Sequence, residues 1–172
     1  MFKKFILIIV GCLMAFNVFG QTSKDSYLGG TFNLIHTVYD NEEYTNFAMG
    51  GEFGAYVSKS VSLGIFSNII VSDFRDGFEI GIFGEWNKEL CANVYYAPRL
   101  SIGYLERLYG EDFYSGYSLT ASLVGLNCQV TNRFVIRIDM VNAINENVKI
   151  NGNNVSYTRL EISPSIKFRW VY

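Results

Sequence analysis

Ten charged side chains recur at alternate positions along stretches that are otherwise apolar: Glu52, Glu79, Glu85, Asp139 and Glu161 with Arg99, Arg137, Arg159, Lys167 and Arg169. Acids and bases in equal number, placed on the face opposite aromatic and aliphatic residues, point to one of two chemistries. In a narrow interior they would neutralise one another, because an uncompensated buried charge costs several kcal/mol. Around a wider ring, with a surplus of one sign, they would guide ions through. The balance of signs favours an ion-paired plug, and a narrow ion path remains the alternative.

Other reactive side chains are few. His36 is the only histidine, placed with the apolar parity near one end of its stretch, where an imidazole serves as an amphipathic ring. Cys12 lies in the leader, leaving Cys91 and Cys128. If the hairpin between their strands centres near Tyr109-Gly110, the two thiols face each other on the inner side. An oxidising compartment would allow a disulfide there, although a direct cross-strand bridge is often strained. Asp40, Glu42 and Glu43, or Asp73 and Asp76, offer carboxylates for a divalent cation, or simply keep loops wet. No Cys/His spacing suggests zinc and no Gly-rich turn opens a helix, so neither a metal nor a cofactor is expected.

The elements that must position these charges are strands. The run from Val155 to Tyr172 puts Leu160, Ile162, Pro164, Ile166, Phe168, Trp170 and Tyr172 on one face and Arg159, Glu161, Lys167 and Arg169 on the other. Period two with two unlike faces places a strand between two different solvents. Seven further stretches share this character: Tyr27–Tyr39, Tyr44–Val57, Val61–Ser72, Phe78–Trp86, Leu90–Leu105, Tyr114–Gln129 and Phe134–Val141. Most come close to the ~9–11 residues that a tilted strand needs to cross a bilayer. In a soluble barrel the apolar face would point inward; in a transmembrane barrel it faces lipid and the polar residues fill the lumen.

The connections argue for the membrane. Ser58-Lys59-Ser60, Asn87-Lys88-Glu89 and Thr131-Asn132-Arg133 read as tight turns, whereas Asp40–Glu43, Asp73–Gly77, Arg107–Phe113 and Asn142–Asn154 read as longer loops. Short turns at one end, longer loops at the other and an even strand number match bacterial outer-membrane barrels. Aromatics sort likewise. Trp86, Phe134, Trp170 and Tyr172 fall at the short-turn end, and Tyr39, Tyr44, Phe78, Tyr104, Tyr114 and Tyr117 near the loop end, as two interfacial girdles would require. Pro98 and Pro164 sit within strands that have no edge to excuse a missing N–H, so a bulge is expected at each.

Residues 1–20 carry Lys3 and Lys4, an apolar core from Phe5 to Phe16 and Gly20, the pattern of a cleaved secretory signal peptide. Residues 21–172 are then one barrel domain. Removing the two lysines leaves 12 bases against 16 acids and takes the net charge from -2 to -4. With no basic cluster, nucleic-acid binding is not expected.

The leader, the eight two-faced strands, segments such as GGEFGAYVSKSVSLG and YYAPRLSIGYL, and the terminal IKFRWVY resemble the small OmpA/OmpX-type outer-membrane β-barrels, the porin-like barrel domain of Gram-negative surface proteins. The resemblance covers essentially the whole mature chain and implies an all-β, about eight-stranded antiparallel up-and-down transmembrane barrel. It implies a monomer in the outer membrane, surrounded by lipid and lipopolysaccharide. Phe168, Trp170 and Tyr172 would be the C-terminal signal read by the barrel-insertion machinery. No peptidoglycan-binding domain is read after the barrel, so the anchoring role of larger members is not expected. Some small barrels of this kind are lipid-modifying enzymes, but the His-x-Ser spacing of the deacylases is missing, since residues 36–38 read His-Thr-Val. The expected role is therefore non-enzymatic: a plugged barrel acting in structure or surface interaction, with its extracellular loops available to a surface partner. A narrow pore for ions or small solutes is the alternative, and a lipid-modifying enzyme a more distant one.

Overall fold

The computed structural model describes residues 26–39, 42–72, 76–109, 112–150 and 153–172. Ten strand segments follow one another: β1 Ser26–Tyr39, β2 Glu42–Tyr56, β3 Val61–Ser72, β4 Asp76–Trp86, β5 Lys88–Cys91, β6 Val94–Tyr96, β7 Arg99–Tyr109, β8 Asp112–Thr131, β9 Phe134–Ile150 and β10 Asn153–Val171. β5 prolongs β4 and β6 leads into β7, so the ten segments build eight staves. Each stave pairs antiparallel with the next, and β10 pairs with both β9 and β1, closing the ring. The protein is a closed eight-stranded antiparallel barrel, as the alternation predicts.

The two faces of the wall settle which side is apolar. Ile162, Leu160 and Ile82 are 78, 61 and 59% exposed on the outside, whereas Arg137, Arg169 and Asp139 are at most 2% exposed inside. This is the reverse of a water-soluble barrel, whose interior would hold the aliphatics. The small apolar cluster inside, Tyr27 with Phe66 and Phe83, lies among the charges and not apart from them. Aromatic contacts on the outer wall group Phe134 with Phe168 and Trp170, ring centroids 6.2 Å apart in each case, and Tyr104 with Tyr117 at 6.0 Å.

Five expectations about connections are corrected. Asn87-Lys88-Glu89 is not a turn: the fourth stave runs on to Cys91, and the chain reverses at Ala92-Asn93, where Asn93 has φ 65°. Asparagine tolerates this left-handed conformation better than most side chains. Asn87, which looked like a turn residue, is instead buried, and its Oδ1 accepts a hydrogen bond from Asn127 Nδ2. The long loop Asn142–Asn154 is also absent, because β9 reaches Ile150 and β10 starts at Asn153, with Ile150 opposite Asn153. Its asparagines belong to a cross-strand polar ladder: Asn145 Nδ2 donates to Thr158 Oγ1 at 2.8 Å and Asn147 Nδ2 to Asn145 Oδ1 at 2.7 Å. Such paired side chains stabilise a sheet. Likewise Tyr109 lies opposite Asp112, so Arg107 and Phe113 are strand residues, and β2 and β4 begin at Glu42 and Asp76. The end expected to carry long loops carries extended hairpins.

Pro164 sits where the β9–β10 register shifts, between Ile162 and Ser165. Pro98 falls in the gap between β6 and β7, beside a register shift in β8 between Ser122 and Gly125. Each proline therefore occupies a place where the ladder is already interrupted.

Candidate functional site

The lumen is built by strand parity. Even positions of β2 bring in Glu52, odd positions of β4 bring in Glu79 and Glu85, and odd positions of β7 add Arg99, Ser101 and Arg107. From β9 come Arg137 and Asp139, and from β10 Arg159, Glu161, Lys167 and Arg169. All ten charges expected to share one interior point into it. Glu146 and Arg107 join them, giving six acids and six bases.

Their lower tier is a continuous network. Arg169 donates from Nη1 and Nη2 to Glu85 Oε1 and Oε2 at 2.8 and 2.7 Å, and from Nε to Glu52 Oε1 at 2.5 Å. Arg99 Nη1 donates to the other Glu52 oxygen at 2.5 Å. Arg137 donates from Nε and Nη2 to Asp139, at 3.1 and 2.5 Å, and Lys167 Nζ lies 3.0 Å from the same carboxylate. Arg137 Nη1 is 2.8 Å from Glu85 Oε2 but makes no aligned hydrogen bond, so this contact is a charge pair only. Aromatic faces complete the packing, with Arg99 Cζ 3.6 Å from the Phe83 centroid and Arg169 Cζ 4.6 Å from that of Tyr27. Paired, hydrogen-bonded and stacked cations of this kind are how a protein holds charge away from water.

Backbone space is made for the network. A Cβ built on Gly29 would lie 2.9 Å from Glu52 Cγ, and one on Gly125 would meet the Ala97 carbonyl oxygen and lie 2.7 Å from Arg137 Nη2. Both strands carry glycine where the guanidinium and carboxylate groups approach the wall.

Above this tier Arg159 bridges two carboxylates, with Nη1 3.0 Å from Glu146 Oε2 and Nε 2.8 Å from Glu161 Oε1, and Arg107 Nη2 is 3.4 Å from Glu146 Oε1. Glu79 differs from the other acids. It accepts hydrogen bonds from Ser118 Oγ and, at 3.5 Å, from Asn68 Nδ2, and no base pairs with it among the described residues. A cavity of about 380 Å³ lies here, and another of about 470 Å³ near Tyr56, Asn87 and Asn132 lies at the opposite end. The lower tier stands between them.

Arg107 continues the odd series of β7 past Leu105, where the sequence pattern places the end of the strand. Glu146 does not follow from the alternation of its strand. Asp139 and Asn142 both face inward, so parity reverses at Met140-Val141, next to the register shifts. Asn127 follows a similar reversal at Leu123-Val124, both exposed between the buried Ser122 and Gly125.

Cys91 and Cys128 are not opposite each other. Val94 pairs with both, so a whole stave separates them, and both thiols are free. The hairpin is shifted because Leu105 pairs with Gly116 and not with Tyr114. Their face is wrong as well: Cys128 pairs with Ile136, which pairs with the outward Phe168. Phe168, Trp170 and Tyr172 line the outer wall, 46, 48 and 66% exposed. His36 is in β1, but its side chain lies outside the described residues, as do Asp40, Asp73 and residues 1–20.

No protein-family profile matches the chain, and no curated protein matches its sequence. Among solved structures, the N-terminal β-barrel domain of Pseudomonas aeruginosa OprF is similar with a TM-score of 0.55 at 9% identity, over 86% of this chain and 97% of that one. Neisserial surface protein A aligns with a TM-score of 0.46 at 12% identity, over 87 and 95% of the two chains. The chain has the fold of the small OmpA/OmpX-type outer-membrane barrels.

Proposed function

We propose that this protein is a monomeric, non-enzymatic barrel of the bacterial outer membrane. Its lumen is closed by ion pairs, and its work is done at the surface by the hairpins above the apolar belt. The observation that carries this reading is the balance of six acids and six bases, with Arg169 and Arg137 fully buried across the middle of the lumen. Opening a path would require separating charges that are held by several hydrogen bonds each, at a cost of several kcal/mol. An interior of eight strands is just wide enough for side chains to fill.

Residues 1–20 act as the cleaved export signal, lipid and lipopolysaccharide surround the exposed aliphatics, and Phe168, Trp170 and Tyr172 are read by the insertion machinery. The polar ladder of Asn145, Asn147, Ser156 and Thr158 is the surface offered to a partner. The cavities at both ends of the network favour one second reading, a narrow pore that conducts when the lower tier rearranges.

The deciding experiment is single-channel recording on protein reconstituted in planar bilayers, after a heat-dependent gel shift has established the folded barrel. Silence in the native protein, with conductance appearing in Arg137→Ala or Arg169→Ala, is the expected result. Steady conductance in the native protein would replace the plug with the pore. Expression without any change in the lipid A mass spectrum is expected; a change would reopen an enzymatic role.

A further inference from the structure

The wall is not equally sealed all round. β1 and β10 pair only from Tyr27↔Val171 to Phe32↔Ile166, although β1 runs on to Tyr39 and β10 begins at Asn153. Continued, the register would set Asn33 against Ser165 and Leu34 against Pro164, which has no N–H to give. The β9–β10 register shift falls at the same place and bends β10.

This gap is not above the apolar belt but inside it. On β10 the outward exposed apolar residues run from Trp170 to Leu160, about 25 Å of a tilted strand. Pairing stops at Ile166, so the upper half of that belt has no β1 partner. Unsatisfied backbone groups facing hydrocarbon cost several kcal/mol each. A polar group lodged in the gap would satisfy them, and an acyl chain would not.

Behind the gap lies the outer cavity, lined from β1 by Thr31 and Asn33 and from β10 by Arg159, Glu161 and Lys167. Asn33 Oδ1, at the first unpaired rung, is buried and has no hydrogen-bond partner among the described residues. Arg159 is the most open base of the lumen network, its side chain 35% exposed. Across the barrel, four staves away, Glu79 pairs with no base among the described residues.

We propose that the gap between β1 and β10 is a lateral portal through which a zwitterionic phospholipid headgroup enters the outer cavity while its acyl chains stay on the outer wall. The order of groups in such a lipid matches the site. The phosphate, next to the glycerol, stops at Arg159 beside the gap, where it takes the place of Glu161, the more exposed of the two carboxylates that Arg159 holds; the terminal ammonium reaches inward to Glu79. Asn33 Oδ1 accepts a hydrogen bond from the ammonium or from a water that accompanies it.

This inference rests on the membrane reading above, and the test separates the two. Asn33→Cys is made in a Cys91→Ser, Cys128→Ser background and reconstituted in vesicles containing a phospholipid with a headgroup maleimide. Ser165→Cys, across the gap, serves as the second position. Both cysteines should react with the lipid reagent, and added lysophosphatidylethanolamine should slow the reaction at least fivefold while soluble glycerophosphoethanolamine does not. Glu79→Gln and Arg159→Met should each abolish that protection. Reaction with a water-soluble maleimide alone would show a cavity reached only from the aqueous mouth and would overturn the portal. So would no reaction at either position, or protection unchanged in both charge variants. If the same vesicles give no heat-dependent gel shift, the membrane reading fails and the portal falls with it.

Discussion

Arg169 and Glu85, 84 positions apart in the chain, meet in a two-pronged pair across the lumen, with Nη1–Oε1 at 2.8 Å and Nη2–Oε2 at 2.7 Å. The staves that carry them, β10 and β4, stand on opposite sides of the ring. A single planar contact therefore ties the last stave to the fourth, and Glu52 adds the second on the remaining guanidinium edge. Arginine suits this role because its fixed fork matches two carboxylates at once, which a lysine cannot do.

Removing that arginine should be costly. Arg169→Met leaves Glu52 and Glu85 short of their shared cation, and the expected loss is about 3–5 kcal/mol. The double variant Arg169→Met, Glu85→Gln should lose less than the sum of the two single changes, since the pair acts as a unit. Glu79→Gln, which keeps acceptors for Ser118 and Asn68 and breaks no ion pair, should cost about 1 kcal/mol or less. Urea unfolding in detergent or vesicles, followed by the folded and unfolded gel bands, measures all four. Equal effects from Arg169→Met and Glu79→Gln would show that the lower tier is not what holds the staves together.

The glycines beside the network give a steric test. Gly125→Ala would bring a methyl against the Ala97 carbonyl oxygen, its closest contact, and within 2.7 Å of Arg137 Nη2 and 3.0 Å of Asp139 Oδ1; Gly29→Ala would bring one within 2.9 Å of Glu52 Cγ and 3.0 Å of Phe168 O. Overpacking of this kind typically costs about 1–3 kcal/mol. Gly84→Ala, whose nearest atom is Leu63 Cδ2 at 3.4 Å, is the matched control and should be nearly neutral. Urea midpoints that fall for Gly29 and Gly125 but not for Gly84 are the expected pattern.

The fold and the lower tier were legible in the sequence because both follow from parity. Wherever alternation is unbroken, as from Lys167 to Trp170, an odd or even index tells inside from outside. Legibility ended where parity reverses. Met140-Val141 and Leu123-Val124 each flip the face of everything beyond them, so Glu146 and Asn127 could not be placed by counting from Asp139 or Ser122. Asparagine also carries two meanings. In Asn142–Asn154 it signalled a loop, but between paired strands its amide bonds across the hairpin as readily as it caps a turn. The Cys91–Cys128 pairing failed because the assumed turn was misplaced: a hairpin centred one residue early sets the register two positions off, Leu105 opposite Gly116 and not Tyr114, and the shift in β8 adds one more.

That last correction is itself testable. With a stave between them and both side chains off the inner face, Cys91 and Cys128 should remain thiols in protein isolated under air. Electrophoretic mobility should be the same with and without reductant, and mass spectrometry after alkylation should count two modified cysteines in the mature chain. A mobility change abolished in Cys91→Ser would restore the bridge and demand that the chain reverse before Cys91 and not at Ala92-Asn93.

Pro164 offers a test of what ends the β1–β10 ladder. It stands at the position that would face Leu34, two rungs beyond the last paired residues, and it withholds an N–H there. Pro164→Ala restores the donor and lets the strand straighten. Pairing should then extend along β1, and amide exchange at Leu34 and His36, whose N–H groups face β10, should slow by at least tenfold, while exchange at Asn33 and Ile35, whose N–H groups face β2, stays as it was. Unchanged exchange at Leu34 and His36 would mean that the register shift against β9, and not the missing N–H, keeps the two staves apart. The two causes are separable, since the β9–β10 shift between Ile162 and Ser165 is set by the pairing on the other side of β10.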